Sequence, residues 1–143
     1  MRDDDREFCM HAVSAFIDRR VRPAMSEAGI KRSYGPMLMA VARMPGCSQK
    51  EIAEEVLVDK AHVTRTCSEL LRNGFITDSS ERSRQYSLHI TKKGQDALDL
   101  VSAAVAEAWS ELLRDLTDEE RECGRRILRK VVATAEAGLE ERP

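Results

Sequence analysis

The segment SQKEIAEEVLVDKAHVTRTCSELLRNGFIT, residues 48–77, narrows the folds open to this chain more than any other. It opens as a capping box. Ser48 can accept from the backbone amide of Glu51 while the Glu51 carboxylate reaches back, which starts a helix that runs to about Val56. Asp59 can cap a second helix over residues 60–73, and Gly74, suited to a left-handed C-terminal cap, ends it. After Gly74 the period changes. Phe75-Ile76-Thr77 and residues 85–90 (QYSLHI) have strand-like composition, and SSERSR between them reads as the polar tip of a hairpin. Two short helices followed by a two-stranded hairpin form a winged helix-turn-helix: a mainly α fold with a small β-hairpin wing.

A helical wheel at about 100° per residue divides the second helix into two faces. Val63, Cys67, Leu70 and Leu71 share one side, and Ala61, Arg65, Ser68 and Arg72 cluster opposite, flanked by His62 and Glu69. One face docks and the other can read a partner. A helix of this kind offers its N-terminal residues to base edges in the major groove, where Arg pairs bidentately with guanine and a small side chain meets a thymine methyl. Arg65, Ala61 and His62 are the base-reading candidates, with Lys60, Thr64, Ser68 and Arg72 around them for phosphate or mixed contacts. Ser48, Gln49 and Lys50 open the preceding helix, whose amide end suits a backbone phosphate. At the wing tip, Arg82 and Arg84 can enter a minor groove or rest on phosphates.

The charge distribution agrees with that partner. The chain carries a net −2, but residues 60–93 hold seven basic side chains against three acidic ones, whereas the remainder holds sixteen against twenty-two. The positive field is local, and it coincides with the reading helix and wing.

Helices flank the winged domain. Apolar positions at helical spacing (Phe8, Ala12, Ala15, Phe16) predict an N-terminal helix over residues 4–28, kinked or restarted at Pro23 and ended by Gly29. Met37, Leu38, Val41 and Met44 predict a buried helix over 33–44, stopped by Pro45-Gly46. Leu98, Val101, Val105, Trp109, Leu112 and Leu116 predict a long helix over 91–116, and Thr117 with Glu120 forms a second capping box ahead of a last helix bearing Ile127, Leu128, Val131, Val132 and Ala135. The organisation is therefore residues 1–32 as part of a dimerisation region, 33–92 as the winged domain, and 93–143 as dimerisation helices. So large an apolar stripe on so small a domain calls for a second copy of the chain.

Other classes find little support. There is no Gly-rich phosphate loop, nucleophile elbow or triad, so no enzyme and no cofactor is expected. His11, His62 and His89 are isolated, and Cys9 and His11 at i, i+2 face different sides of a helix, so no metal site is expected either. No apolar run approaches the roughly 20 residues of a membrane span, and the acidic opening MRDDDRE is unlike a targeting segment. A cytoplasmic protein is expected, its four scattered cysteines reduced.

Residues 45–76 (PGCSQKEIAEEVLVDKAHVTRTCSELLRNGFI) together with the wing and LHITKKG at 88–94 resemble the multiple-antibiotic-resistance regulators, the MarR family of winged-helix transcription factors. The resemblance implies a homodimer that binds a pseudo-palindromic operator on double-stranded DNA, usually as a repressor. It further implies a small-molecule effector or oxidant acting in a cleft between the DNA-binding and dimer regions. Phe16, Met37, Val41 and Trp109 are candidate lining residues for that cleft, and each is also an ordinary core position. Arg65 stands where many members place a recognition-helix arginine, and Arg84 stands at the arginine of their Asp-x-Arg wing motif. Here the aspartate position is held by Arg82. Hydroperoxide-sensing members carry a reactive cysteine in the first helix, which Cys9 resembles, although Val13 stands where such sensors use a tyrosine. Two alternatives stay open: a winged-helix protein-interaction module without DNA binding, and a thiol-based sensor using Cys9.

Overall fold

Side-chain caps and left-handed glycines set the helix ends in the computed structural model, which describes residues 10–80 and 86–140. The element order among them is α1 (Met10–Ala28), α2 (Tyr34–Arg43), α3 (Gln49–Val56), α4 (Lys60–Arg72), β1 (Ile76–Asp78), β2 (Leu88–Ile90), α5 (Lys92–Leu112) and α6 (Asp118–Glu140). The α3 capping box is complete, with the Glu51 amide donating to Ser48 Oγ at 3.2 Å and the Ser48 amide donating to the Glu51 carboxylate at 2.7 Å. Asp59 accepts from the His62 amide at 2.9 Å and so starts α4. At the other end Gly74 has φ 75°, and the amides of Gly74 and Phe75 bond the carbonyls of Leu71 and Leu70 at 3.1 and 2.9 Å, the paired closure of a Schellman motif. Thr117 and Glu120 repeat the box at α6 with bonds of 2.8 and 3.2 Å.

Some boundaries differ from expectation for identifiable reasons. Helix α1 runs through Pro23 without interruption. The ring removes one amide donor, yet Arg19, whose carbonyl loses that donor, is exposed, so water can satisfy it. Thr91 lies outside α5 as its cap: its Oγ1 accepts from the Gly94 amide at 3.0 Å and lies 2.7 and 3.0 Å from the carbonyls of Gly74 and Phe75. The strands are shorter than their composition implies, pairing antiparallel as Ile76↔Ile90, Thr77↔His89 and Asp78↔Leu88. An isolated bridge outside that ladder pairs Cys47 with Leu88, with the Leu88 amide donating to the Cys47 carbonyl at 2.9 Å.

Alternation of apolar side chains places one core between these pieces. Leu38 and Val41 from α2, Ile52 from α3, Val63, Cys67 and Leu70 from α4, and Leu88 from β2 are all wholly buried in it. The first turns of α5 join it: Gly94 and Ala97 are buried, and Leu98 and Val101 pack against the cluster. By contact the chain divides within α5, into units Met1–Trp109 and Ser110–Pro143. In the second unit α6 buries no residue, and Ile127, Leu128, Val131, Val132 and Leu139 are each about half exposed. No helix among the described residues is long and apolar enough to cross a membrane.

The core also decides the chemistry of two thiols. Burial, followed by the neighbouring Cys47, pushes the Cys67 thiol up to about 11. Burial also raises Cys47, and the Glu51 carboxylate adds to the effect; this outweighs any depression by the nearby helix N-terminus. Both thiols stay protonated at neutral pH, and the stability this contributes is present below the ordinary thiol pKa and lost as pH climbs through the raised value. Iodoacetamide at neutral pH is expected to leave Cys47 and Cys67 unmodified in the folded protein and to modify both in urea, as read by peptide mass mapping. Native modification of either as fast as the part-exposed Cys123 would contradict this.

Candidate nucleic-acid interface

Helix α4 presents the two faces its sequence requires. Val63, Thr66, Cys67 and Leu70 are buried, while Lys60, Ala61, Thr64, Arg65, Ser68 and Arg72 are exposed and His62 is half-buried at the edge. Thirteen residues at 1.5 Å each make α4 roughly 20 Å long, enough to cross a major groove about 12 Å wide. Lys60, Arg65 and Arg72 form no ion pair among the described residues and face outward, with the Arg72 charge near enough to Glu69 to help hold its carboxyl down.

The remaining polar candidates are partly engaged within the chain. The Ser48 hydroxyl is taken up by the α3 cap, and it also donates to the Glu51 carboxylate at 3.0 Å. Thr64 Oγ1 donates to Gln49 Oε1 at 3.0 Å, which ties α4 to the first turn of α3. Ser68 Oγ donates back to the Thr64 carbonyl at 2.9 Å. Lys50 lies 4.0 Å from Glu54, one helical turn on, a loose surface pair of little energetic weight. These groups still have accepting capacity, but only Lys50, Lys60, Arg65 and Arg72 bring charge among the described residues.

What holds α4 in place lies beyond any local sequence pattern. Glu69 accepts from the Tyr34 hydroxyl at 2.6 Å and from Lys31 Nζ at 3.0 Å, so a carboxylate on α4 is bound to the start of α2 and to the connection before it. Tyr34 is 2% exposed and meets the Phe75 ring edge-on at 6.1 Å. The Tyr34 hydrogen bond, then that of Lys31, holds the Glu69 carboxyl below the usual range, and burial above all pushes the Tyr34 phenol up. At neutral pH the acceptor is ionised and the donor is protonated, as the bond needs. Lys93 closes the other end, donating to the Asn73 carbonyl at 2.7 Å with its ammonium 4.5 Å over the Phe75 ring. The partners of Glu69 lie 35 and 38 residues away in sequence, so no local pattern announces them.

At the wing, Arg82 and Arg84 lie outside the described residues, as does Cys9. A carboxylate organises the described base of the hairpin. Asp78 Oδ1 accepts from the Ser87 amide at 3.0 Å, the Ser80 amide at 3.0 Å and the Ser80 hydroxyl at 2.7 Å. Those bonds, that of Ser87 first, hold its carboxyl below the usual range. Asp78-Ser79-Ser80 at the end of β1 is an Asx-turn pattern, a signal the sequence itself carries. Asp78→Ala is expected to destabilise the fold by about 1 kcal/mol at neutral pH. Because the folded pKa is depressed, the stabilisation is complete above the unfolded value of about 3.9 and fades as pH falls through the folded one. Urea titrations of the two proteins should therefore differ at pH 7 and converge in strong acid; an equal gap at both would contradict the assignment.

Of the four residues expected at an effector cleft, Met37 and Val41 are 1% and 0% exposed and sit in the core. Phe16 and Trp109 are half-buried, and the Arg20 guanidinium sits 5.0 Å over the Phe16 ring. A surface cavity of about 340 Å³ does lie in the first unit, walled by Asp18, Arg22, Met25, Ser26, Ile30 and Arg32, none of them among the four expected.

The chain is similar to known transcriptional regulators. A model of the MarR family matches residues 28–85. The HTH-type transcriptional regulator BilQ of Clostridium symbiosum (strain WAL-14163) is 28% identical over 117 residues, covering 80% of this chain and 81% of that protein. The crystal structure of MarR superposes with a TM-score of 0.70 at 27% identity, over 88% of this chain and 90% of that one. A Mycobacterium tuberculosis MarR family protein in complex with salicylic acid superposes at 0.65 with 21% identity, over 87% of this chain and 94% of that one, a likeness of fold.

Proposed function

We propose that this chain, which is similar to MarR-family transcriptional regulators, is a homodimeric repressor whose two α4 helices read a pseudo-palindromic operator and whose grip an effector relaxes. The observation that carries the reading is the outward cationic face of α4, with Arg65 at its centre and Lys60 and Arg72 on either side, on a helix whose opposite face is wholly committed to the core. Arg65, Ala61 and His62 read base edges; Lys60, Arg72 and Lys50 meet phosphates, as do the hydroxyl and amide groups of Ser48, Gln49, Thr64 and Ser68; Arg82 and Arg84 contact the minor groove from the wing. It is a DNA-binding regulator rather than an enzyme.

Dimerisation is supported by α6, where Ile127, Leu128, Val131 and Val132 leave a half-exposed apolar stripe that water disfavours and a second copy would cover. An effector would act by binding a dimer with wrongly spaced reading helices more tightly than the operator-competent one, since only differential affinity shifts such an equilibrium. The salicylic acid complex of the Mycobacterium tuberculosis protein supports a small organic acid as the class to try first.

Selection of duplexes from a randomised library tests the core of this reading. The expected product is an inverted repeat with half-site centres about 34 Å apart. No enrichment by a folded dimer would point to a protein partner for the same basic face.

A further inference from the structure

The geometry points to a second role for Glu69: held by Tyr34 and Lys31, it is kept from pairing with Arg65, and so acts as a positioning residue that leaves the reading arginine free. The inference rests on the operator-binding reading. Glu69 lies four residues after Arg65 on α4, the spacing at which oppositely charged side chains on a helix meet and pair. A carboxylate placed there would draw the guanidinium along the helix surface and away from a base edge. It would also add a negative charge beside the phosphates. In the structure that pairing does not occur. The carboxylate is turned toward α2, accepting at 2.6 Å from Tyr34 and at 3.0 Å from Lys31, while Arg65 forms no ion pair among the described residues.

The latch is built to prevail over the alternative. Tyr34 is buried and braced by the Phe75 ring, so its hydroxyl gives up little freedom to make the bond, whereas an exposed Arg–Glu pair must immobilise two long side chains. Lys31, whose side chain is 68% exposed, supplies a second donor and a compensating charge. The same bonds set the roll of α4. At about 6 Å from the axis, a roll of about 15° moves a side-chain head by about 1.5 Å, enough to break a hydrogen bond whose range is about 2.7–3.2 Å.

Three proteins beside wild type separate this from ordinary structural support: Tyr34→Phe with Lys31→Gln, Glu69→Gln alone, and the triple variant. Each is titrated by fluorescence anisotropy against the selected operator and an unrelated duplex, with Tm recorded. Release of the latch in the double variant is expected to lower operator affinity about two- to fivefold, the scale of one helix-surface pair competing for Arg65 in each half of the dimer. Adding Glu69→Gln removes the competitor and is expected to return the affinity to within about twofold of wild type at low salt, although it removes one more native group. Wild-type affinity in the double variant, or a triple variant no better than the double, overturns the inference. Failure of wild type itself to prefer the operator sinks the DNA-binding reading, and the inference with it. A fall in Tm with an unchanged affinity ratio also overturns it, leaving Glu69 a structural residue only.

Discussion

Arg65→Ala is expected to weaken operator binding roughly 10- to 100-fold and to flatten discrimination at one base position of each half-site, the loss typical of a bidentate arginine–guanine pair. The size follows from the setting. Arg65 is exposed on a helix whose inner face is wholly buried, so its removal takes away a contact without disturbing the core. Lys60→Ala gives the contrasting outcome. As a phosphate contact it should weaken all sequences about equally and reduce the slope of log affinity against log salt by about one. Anisotropy titrations across salt concentrations check both. Equal loss on operator and unrelated DNA for Arg65→Ala would reassign Arg65 to the backbone; no loss at all would move the reading surface elsewhere.

Gly94→Ala is expected to be among the most destabilising single-methyl changes in the chain, by about 2–3 kcal/mol net. Two effects oppose one another. Gly94 is in the first turn of α5, where alanine would normally gain up to about 1 kcal/mol in helix propensity. Yet an added Cβ would overlap the Phe75 carbonyl oxygen and lie 2.8 Å from Ile90 Cγ1. The carbonyl is backbone, and it already accepts from the Thr91 amide at 3.0 Å, so it cannot swing aside without loosening the seat of α5 on the hairpin. Packing prevails over propensity. In a chain of this length the change corresponds to a fall in Tm of roughly 5–10 °C. Gly138→Ala in α6 is the control, since a Cβ there meets nothing within 4 Å and should be neutral or slightly stabilising. Equal Tm for the Gly94 variant and wild type would show that α5 can shift on the hairpin at little cost.

The two glycines mark how far reasoning from sequence reaches. Gly74 was interpretable because it ends a periodic run, and left-handed backbone is what glycine offers there; the structure gives it φ 75°. Gly94 looked like one more residue in LHITKKG. Its constraint is a carbonyl nineteen positions earlier, brought against it only when the hairpin folds back.

The same division runs through the interface. Caps at Ser48, Asp59 and Thr117, the helix over 60–72 and its two faces were determined by the sequence, because capping and periodicity act within one or two turns of chain. The placement of Arg65 on the outward face follows from its angle to Val63 alone. Tertiary structure decided the rest: Met37 and Val41 are buried in the core, the start of α5 packs against it, and Glu69 meets Tyr34 and Lys31. Those outcomes depend on which surfaces meet after the chain has closed long loops, and pairs more than thirty residues apart carry no periodic or capping signal by which they could be foreseen.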